Sequence, residues 1–460
     1  MLLKFINRKF EINALKQAYY SKKSEFFVIY GRRRVGKTEL IKKFTKKMPH
    51  FYFLAKKQNL NIELKEFQKK ISEKFNIHLG ENNNFEDLFR NILTKTNLKK
   101  KFIIIIDEFP YWIAKDEKIL SEFQYIWDEL LQRENIFLIL CGSYMSIMEE
   151  MVLSINSPLY GRRTGQLKIE PMKIKYLQKF LPRYKIEDLI KVYGCVGTIP
   201  FYLKELNDSM DFFGNIKNTF LNKANILNQE ANFLLKEELR EINVYFNIIK
   251  AIIGGATRSS EIAAKSMVDI TNINKYLSVL VGLKLIKKLK PITAPPKEKR
   301  YHYRLKDNYF RFWLTYVYPY QTEIEENADS LLKIIKKDNP SYMGHIFEDF
   351  CKKIIRSLDI GMDKIGMGVG TWWHKDEEID LIALNGQSKE ILFAECKWKK
   401  DVNAKRLVQE LDKKSKFVKW HNAKRIEYFA IFAKSFSKKI RVHKGKKVYC
   451  FDLGSLEKKL

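Results

Sequence analysis

The string GRRRVGKT at residues 31–38 constrains the fold of this chain more than any other part of its sequence. It matches the pattern G-x-x-x-x-G-K-[ST] at every fixed position. The apolar run EFFVIY precedes it, and the helical pattern ELIKKFTKKM follows it. In such a strand–loop–helix unit, glycines let backbone N–H groups curl around a phosphate, and the helix start adds partial positive charge. The string therefore predicts a nucleotide-binding core of the α/β type.

Each part of this loop has an expected role. Lys37 would neutralise the β- and γ-phosphates, and the Thr38 hydroxyl would ligate Mg²⁺. The three arginines could pair with phosphates or with acidic neighbours, and the sequence does not choose between these alternatives. The predicted nucleotide-binding residues of the loop are Gly31, Arg32, Arg33, Arg34, Val35, Gly36, Lys37 and Thr38.

Two further apolar runs end in polar residues that a phosphate-binding loop needs. KFIIIIDEF ends in Asp107, which would hold Mg²⁺, and Glu108, which would polarise the attacking water as general base. IFLILCGS ends in Ser143, which could sense the γ-phosphate or only form a turn. Continuous apolar runs separated by helical patterns indicate a parallel sheet covered on both faces.

The segment SPLYGRRTG places Arg162 and Arg163 after a turn that leaves the core sheet. A guanidinium there could stabilise the transferred charge, in its own subunit or in a neighbouring one. Adjacent arginines on a loop are also common as surface charge. We keep both residues as candidate catalytic groups.

The chain is expected to divide into five segments. Residues 1–170 would form the nucleotide-binding core, 171–240 a helical subdomain and 241–305 a winged helix. An aromatic and helical connector at 306–340 would lead to a small α/β domain at 341–460.

The predicted winged helix has three parts. SSEIAAKS would be the first helix of the turn motif, the segment from Thr271 the recognition helix, and IKKLKPITAPPKEKRYHYRL the wing. The recognition helix and the lysine-rich wing could contact DNA. The unit could equally act as a nucleotide-sensing lid or a protein contact, since its recognition helix offers few basic side chains.

The strands predicted at EIDLIAL and ILFAECKW bring together residues suited to metal-dependent hydrolysis. Residues i and i+2 of a strand share a face, so Glu395 and Lys397 point the same way. A hairpin between the strands would bring Asp380 close to them. Two carboxylates so arranged bind Mg²⁺, and the lysine can orient or activate a water. We predict Asp380 and Glu395 as catalytic metal ligands, Lys397 as a catalytic residue, and Glu348, on the preceding helix, as the group that completes the site.

Trp372 and Trp373 precede the Asp380 strand, together with His374 and Lys375. The two indole rings could stack on nucleotides. Tandem tryptophans are also common as core anchors, and this alternative stays open.

The ordered set GRRRVGKT, IIIIDEF, LCGS, SPLYGRRTG and YGCVGTIPFYL resembles the archaeal-type P-loop ATPases, which are related to the AAA+ and STAND ATPases. The resemblance implies ATP as the nucleotide, slow switch-like hydrolysis and a winged helix after the core. Gly197 and Pro200 match the G-x-P element of these ATPases, which adds Pro200 to the predicted nucleotide-binding residues. The usual double glycine of that element reads Gly197 and Thr198 here.

The order of Glu348, Asp380, Glu395 and Lys397 resembles that of the PD-(D/E)xK nuclease superfamily. The first strand motif reads Ile379 and Asp380 instead of Pro-Asp. Archaeal-type ATPases often carry such a nuclease-like C-terminal domain, so the two resemblances support each other.

Charge indicates the class of partner. The 460 residues include 85 basic and 54 acidic ones, a net charge of +31. Such an excess favours a polyanion, and we expect nucleic acid, DNA rather than RNA. Most of the basic residues are lysines, and an AT-rich genome would produce the same excess. A homo-oligomer is a further expectation.

The remaining composition indicates the compartment. The five cysteines form no CxxC pair and the seven histidines no HExxH pattern, so neither a zinc site nor a disulfide framework is expected. The apolar runs are too short to span a bilayer, and the N-terminus does not resemble a secretory signal. We expect a cytoplasmic protein without membrane association.

These features predict an α/β fold with three parts. A P-loop NTPase core with a parallel sheet would be followed by an all-α and winged-helix unit and by a small restriction-endonuclease-like α/β domain. The expected function is an ATP-hydrolysing switch coupled to a Mg²⁺-dependent nuclease-like domain acting on nucleic acid. The alternative is a regulatory or scaffold ATPase whose C-terminal domain binds nucleic acid or a protein partner without cleavage.

Overall fold

The chain forms two compact units. A computed structural model describes residues 5–96, 100–239, 241–295, 297–298 and 301–459. The N-terminal unit comprises Leu2–Met172 with Ile199–Phe201, and the C-terminal unit comprises Lys173–Thr198 with Tyr202–Leu460. Three positions of the predicted wing lie outside the described residues: Pro296, Lys299 and Arg300.

The N-terminal unit is built around a parallel sheet. Its strands are β1 Glu25–Tyr30, β2 His50–Leu54, β3 Phe102–Asp107, β4 Ile136–Gly142 and β5 Gly165–Lys168. Within the described residues these five strands pair in the order β2-β3-β4-β1-β5, and every pairing is parallel. All residues of β1, β3 and β4 are buried, as expected of strands covered on both faces. The predicted α/β fold with a parallel sheet is confirmed.

Helices cover both faces of this sheet. They are α1 Lys9–Tyr20, α2 Lys37–Thr45, α3 Leu60–Phe75, α4 Phe85–Lys95, α5 Pro110–Ile113, α6 Ile119–Tyr125 and α7 Met145–Ile147, and the last two continue as π-helical turns at Ile126–Leu131 and Met148–Val152. Phe26 and Val28 of β1 belong to one apolar cluster, and Phe27 and Ile29 to another. Because successive strand residues point to opposite faces, the clusters lie on opposite sides of the sheet. The loops after β1, β3 and β4 meet at the edge where the parallel strands end.

The chain after β5 is helical at first. Its helices are α8 Leu177–Phe180, α9 Ile186–Val196, α10 Pro200–Lys204, α11 Phe212–Asn218, α12 Ile226–Glu238, α13 Ile242–Ile253, α14 Ser259–Ser266, α15 Ile273–Gly282, α16 Asn308–Tyr316 and α17 Gln321–Ile354. An antiparallel hairpin of β6 Ile286–Leu289 and β7 His302–Leu305 follows α15. Three helices and a hairpin form a winged helix, as predicted, with SSEIAAKS as α14 and the predicted recognition helix as α15.

The long helix α17 crosses the boundary expected at residue 340. Pro340 lies inside this helix, whereas the backbone leaves helical geometry at Asn327, with φ −157° and ψ 70°. A proline removes one backbone donor and often kinks a helix, but it does not end this one. The last part of the expected connector, after Asn327, and the helix that carries Glu348 therefore form one continuous helix that ends at Ile354.

A second sheet forms the end of the C-terminal unit. Its strands are β8 Gly368–His374, β9 Glu377–Asn385, β10 Glu390–Lys397, β12 Ile426–Ala433, β14 Val442–His443 and β15 Lys446–Phe451, and a separate pair consists of β11 Val402–Asn403 and β13 Phe436–Lys438. In the described part of the chain the six strands run in the order β14-β15-β12-β10-β9-β8. The helices α18 Ala404–Ser415 and α19 Leu453–Glu457 complete the unit. This is the small C-terminal sheet domain that the sequence predicts.

The wing, the segment between β6 and β7, contacts the edge of this second sheet. The backbone N–H of Ile292 donates to the carbonyl of Thr371 in β8 at 3.0 Å. A Cβ on Gly370 would lie 3.0 Å from the Ile292 Cβ, so the glycine permits the close approach. No helix in the described ranges combines the length and the apolar content that crossing a membrane requires.

Candidate functional site

The loop between β1 and α2 has the backbone shape that its glycines predict. A Cβ on Gly31 would collide with the carbonyl oxygen of Ile169. Gly36, at the start of α2, has φ 94°, a left-handed conformation that favours glycine. Arg34 adopts φ 69°, also left-handed. The loop thus curls back on itself directly before the helix.

Lys37 folds over this loop. Its side chain is buried, and its Nζ donates to the carbonyl oxygens of Gly31 at 2.9 Å and Arg32 at 3.1 Å. Phosphate oxygens are stronger acceptors than these carbonyls for an ammonium donor. The lysine is therefore placed to serve a phosphate bound in the loop.

The predicted metal partners of the nucleotide lie in direct contact. The Thr38 Oγ1 donates to the Asp107 Oδ2 at 2.8 Å, and the phenol of Tyr52 on β2 donates to the same oxygen at 2.7 Å. Burial, followed by the charge and hydrogen bond of Asp107, raises the pKa of Tyr52, so this phenol stays a donor. A hydroxyl beside a buried carboxylate is the oxygen donor set that Mg²⁺ accepts. Thr38 and Asp107 therefore fit the metal of a Mg²⁺-bound nucleotide.

Glu108 is held by the residue predicted as a phosphate sensor. Its Oε2 accepts hydrogen bonds from the backbone N–H of Ser143 at 3.1 Å and from the Ser143 Oγ at 2.8 Å. Glu108 has φ 58°, and such left-handed strain at a non-glycine residue costs about 1–3 kcal/mol. Ser143 therefore contacts the candidate general base, and exchange of this contact for a water would release the carboxylate.

The loop arginines contact aromatic rings beside the same edge of the sheet. Arg33 donates to the Tyr111 hydroxyl at 3.1 Å and lies 5.3 Å from the centroid of the Tyr144 ring. Arg34 lies 4.0 Å from the centroid of the Phe201 ring, next to Pro200. The Arg34 contact brings the Pro200 segment beside the loop.

Two anchors of this loop escaped the sequence analysis. Arg8, which is buried, donates to the carbonyl of Val35 at 3.0 Å and to that of Glu170 at 2.6 Å. Tyr52 is the second. Tyr52 lies in β2, the strand next to β3, so a correct strand order would have been enough to predict its contact with Asp107. No sequence pattern around Arg8 indicates its role.

Arg162 and Arg163 do not meet the phosphate loop of their own chain. They precede β5, whose Gly165 lies opposite Phe27, so their backbone lies roughly 20 Å along the strand from the loop that follows β1. The Arg162 Nε pairs with Asp128 at 2.7 Å, and the Arg163 guanidinium donates to the carbonyl of Leu153 at 3.1 Å. These contacts engage both guanidinium groups within their own chain, so action on the γ-phosphate of a neighbouring subunit is the role to test.

In the C-terminal sheet, Asp380, Glu395 and Lys397 come together as predicted. β9 and β10 pair in antiparallel fashion with Leu381 opposite Ala394. The Asp380 Oδ2 accepts from the backbone N–H of Cys396 at 2.9 Å, and the Lys397 Nζ lies 2.6 Å from the Glu395 Oε1. The two strands thus place both carboxylates and the ammonium at one spot.

The electrostatics of this spot favour a cation. Burial, Glu348 and Glu395 raise the pKa of Asp380 to about 7. Burial opposes the charge on Lys397, but the Glu395 hydrogen bond and the charges of Glu395 and Asp380 together outweigh burial and raise the pKa of the lysine. A protonated Lys397 can orient water and stabilise negative charge, and a divalent ion would relieve the repulsion between the carboxylates.

Glu348 is tied to the winged helix. Its carboxylate lies 3.8 Å from Arg304 of β7, 3.7 Å from Lys352 and 3.2 Å from His345. Burial would raise the pKa of Glu348, but these three groups outweigh it and hold the pKa below its usual value. Arg304 also pairs with Glu378 of β9 at 2.7 Å.

Side-chain donors are not gathered into a complete metal cage. Across the described residues, no group of three or more His, Cys, Asp or Glu side chains is arranged to hold a metal ion. Asp380 and Glu395 supply two carboxylate oxygens of the kind Mg²⁺ prefers, and Mg²⁺ commonly keeps several waters. The pair therefore fits a hydrated Mg²⁺, with Glu348 nearby.

The tandem tryptophans separate into two roles. Trp372 is 4% exposed and belongs to the core of the second sheet. Trp373 is half-buried, and its ring stacks on His302 with centroids 4.2 Å apart and planes at 11°. The core-anchor alternative therefore holds for the first indole and not for the second.

Known proteins resemble both parts of this chain. Residues 5–206 match the model of an ATPase domain found predominantly in Archaea, and residues 313–414 match a domain of archaeal and bacterial proteins of unknown function. An uncharacterised protein of Methanocaldococcus jannaschii is 36% identical over 440 residues, which cover 95% of this chain and 97% of that protein.

Solved structures resemble the fold. The Walker-type ATPase of Pyrococcus abyssi matches with a TM-score of 0.51 at 21% identity, over 68% of this chain and 96% of that one. The ORC2 protein of Aeropyrum pernix matches with a TM-score of 0.47 at 15% identity, over 72% of this chain and 95% of that one. The first likeness supports an ATPase fold and says nothing by itself about a nuclease.

Proposed function

We propose that this chain, which carries the ATPase domain found predominantly in Archaea and belongs to one family with the uncharacterised Methanocaldococcus jannaschii protein, is an ATP-driven switch. The switch would control a Mg²⁺-dependent nuclease site in the C-terminal sheet. The ATPase half follows from the family. The nuclease half rests on the grouping of Asp380, Glu395 and Lys397 at the ends of β9 and β10.

The nucleotide site would bind and hydrolyse ATP through residues that already form hydrogen bonds within the site. Lys37 would exchange its loop carbonyls for phosphate oxygens, and Thr38 and Asp107 would hold Mg²⁺. Bound Mg²⁺ would supply positive charge to the phosphate oxygens. Glu108, released from Ser143, would then accept the proton of the attacking water.

The C-terminal site would act on a phosphodiester with carboxylates that hold a metal ion and a lysine that orients water. Asp380 and Glu395 would hold the metal ion, which would supply charge and an activated water. Lys397, protonated beside Glu395, would orient that water and stabilise charge that develops on the phosphate. Glu348 would complete the acidic set from α17.

Nucleic acid is the substrate class that charge supports. A net charge of +31 provides non-specific attraction to a phosphate backbone. A winged helix beside the candidate nuclease site supplies a second surface of the kind that binds DNA, so we favour DNA over RNA.

One observation favours a second function, a scaffold ATPase whose C-terminal domain binds nucleic acid or a protein without cutting. The acidic side chains of the described residues do not form a three-membered metal group, and Glu395 is engaged by Lys397. Without a bound metal ion such a site has no activated water, so it would not hydrolyse a phosphodiester.

Cleavage assays with the full chain decide between these functions. Labelled DNA and RNA are incubated with Mg²⁺ or Mn²⁺, with and without ATP, and the products are separated by size. We expect Mg²⁺-dependent cleavage whose rate changes with ATP, and a loss of at least about a hundredfold in Asp380→Asn and in Lys397→Ala.

Two substitutions in the same region serve as matched controls. Asp376→Asn removes an exposed carboxylate in the turn before β9, and Lys399→Ala removes an exposed ammonium just after β10. Both should cleave as the wild type does. Absence of hydrolysis by the wild type on every substrate, with binding intact, would support the scaffold function instead.

A further inference from the structure

A cleft of about 540 Å³ separates the wing from the edge strand β8 of the C-terminal sheet. Its walls include Arg258 at the start of α14, His302 of β7, and Trp373 and Lys375 at the end of β8. The hydrogen bond between Ile292 and Thr371 holds the two walls together. The cleft belongs neither to the phosphate loop nor to the Asp380 group.

The cleft presents a prearranged aromatic pair. The rings of His302 and Trp373 are nearly parallel, with their centroids 4.2 Å apart, and the backbone beside Trp373 is anchored because Trp372 is buried in the core. Burial, followed by the charges of Arg258 and Arg304, lowers the pKa of His302. A neutral imidazole stacked on an indole forms a flat platform that loses little side-chain entropy when a ligand binds.

Cations surround this platform. Arg258 and Lys375 are exposed and line the cleft. Among the described lining residues the only acidic one is Glu298. An aromatic platform beside Lys and Arg side chains is the combination that binds unpaired nucleotides, because every base has a face that can stack and every nucleotide carries a phosphate. A duplex keeps its base faces stacked inside and cannot use the platform.

We propose that this cleft binds an unpaired nucleotide of a single-stranded nucleic acid segment, with its base against the His302–Trp373 pair and its phosphates facing Arg258 and Lys375. The inference rests on the proposed function only in taking nucleic acid as the partner, and it does not require cleavage. It gives the protein a preference for frayed, looped or single-stranded sites, with the candidate nuclease site in the same compact unit.

Binding of oligonucleotides to the full chain in EDTA tests this inference. Fluorescence anisotropy is measured with a strand of about twelve dT nucleotides, a rU strand of equal length and a duplex of equal length, at several salt concentrations. Trp373→Ala should weaken single-strand binding about tenfold, since it removes one stacked base, and should change duplex binding by less than about twofold. Trp373→Phe should retain most of the affinity because it keeps a ring. An equal loss of affinity for dT and rU would show that the ring stacks on the base and does not contact the 2′-hydroxyl.

The chain offers matched controls. Trp420 forms another Trp–His ring contact, with His421 at 4.7 Å, and Trp420→Ala should leave single-strand affinity unchanged. Lys375 and Lys389 both occupy left-handed turn positions, with φ 52° and 56°. Lys375→Gln should weaken single-strand binding and lower its salt dependence by about one phosphate contact, whereas Lys389→Gln should not.

The outcomes separate this inference from the proposed function. Wild-type affinity in Trp373→Ala, equal losses for single strand and duplex, or no single-strand binding by the wild type would each overturn the cleft, whatever the cleavage assays show. Selective loss in Trp373→Ala without any cleavage by the wild type would support the cleft and refute the nuclease.

Discussion

Lys37 and Glu108 lie in the same nucleotide site, but their substitutions should have different effects. Lys37→Ala removes the ammonium that folds over the loop, so nucleotide binding should fall below detection. Glu108→Gln keeps the shape of the side chain but removes the base, so Mg²⁺·ATP should still bind while turnover falls about 10²–10⁴-fold. Calorimetric titration and phosphate-release assays measure the two properties separately.

The controls for this pair lie on α2. Lys42→Ala and Glu39→Gln change exposed side chains of the same types and should leave both properties unchanged. Normal turnover in Glu108→Gln would remove this residue from the catalytic role.

Arg8 lies far from the phosphate loop in sequence, but its substitution should affect the loop. Its guanidinium donates to the carbonyls of Val35 and Glu170, and Arg8→Ala would leave the buried Val35 carbonyl without this donor at a cost of about 1–3 kcal/mol. We expect a lower melting temperature and weaker ATP binding, both partly restored in Arg8→Lys. Differential scanning fluorimetry with and without ATP checks this, and an unchanged melting temperature in Arg8→Ala would contradict it.

At the scale of elements, Asp412 of α18 fastens the hairpin of β14 and β15. Its carboxylate lies 2.7 Å from Lys444, 3.4 Å from Lys446 and 3.4 Å from His443. Burial opposes the charge, but these groups outweigh it and lower the pKa of Asp412 to about 2. A carboxyl group with a depressed folded-state pKa contributes stability that is complete above its unfolded pKa of about 3.9 and is lost as the pH falls toward 2.

This linkage predicts a stability change in acid. Between about pH 4 and pH 2 the free energy of unfolding should fall by roughly 1–2 kcal/mol from this carboxylate alone, since neighbouring lysines remain partly in water. Asp412→Asn should show less of that dependence, while Asp376→Asn should keep it. Urea titrations at several pH values provide the measurement, and parallel pH profiles for wild type and Asp412→Asn would refute the assignment.

At the scale of the whole molecule, the position of Arg162 and Arg163 makes oligomerisation testable. Both precede β5 and contact Asp128 and Leu153 in their own chain, so we test a role in hydrolysis at the site of a second copy of the chain. Mixing Arg163→Ala with Lys37→Ala protein should then restore part of the turnover, because one intact loop can face one intact arginine. Specific activity of the wild type should also rise with protein concentration.

A matched mixture controls this experiment. In a mixture of Lys37→Ala and Glu108→Gln proteins, every chain has a defective nucleotide site. This mixture should therefore restore less activity than the mixture of Arg163→Ala and Lys37→Ala. Failure of every mixture, with turnover independent of concentration, would assign Arg162 and Arg163 to the contacts with Asp128 and Leu153 alone.

Local patterns predicted the features that neighbouring residues determine. The buried strands, the phosphate loop, the Asp107 strand end and the winged-helix order all follow from short runs whose periodicity or spacing carries the information. The pairing of β9 with β10 was also predictable, because one short turn joins them. In each of these cases the contact is local in sequence or set by strand order.

Contacts between distant segments could not be predicted in this way. Arg8 reaches residue 170, and Arg304 of the winged helix reaches Glu348 and Glu378, across separations at which a single sequence carries no pairing signal. The continuity of α17 through Pro340 was missed because proline usually argues against a helix interior. Trp373 differed from Trp372 for the same reason, since its partner His302 comes from β7, far away in the sequence.

The hydrogen bond between the wing and β8 has a consequence for handling the protein. β8 is the last strand on its side of the second sheet, and an uncovered strand edge is a template for pairing with another chain. A fragment beginning at residue 341 would lack the wing and leave this backbone open. We expect such a fragment to self-associate in light-scattering measurements, whereas one that begins at Lys173, where the C-terminal unit starts, should stay dispersed. The isolated C-terminal domain would aggregate because the strand edge that the wing covers is exposed.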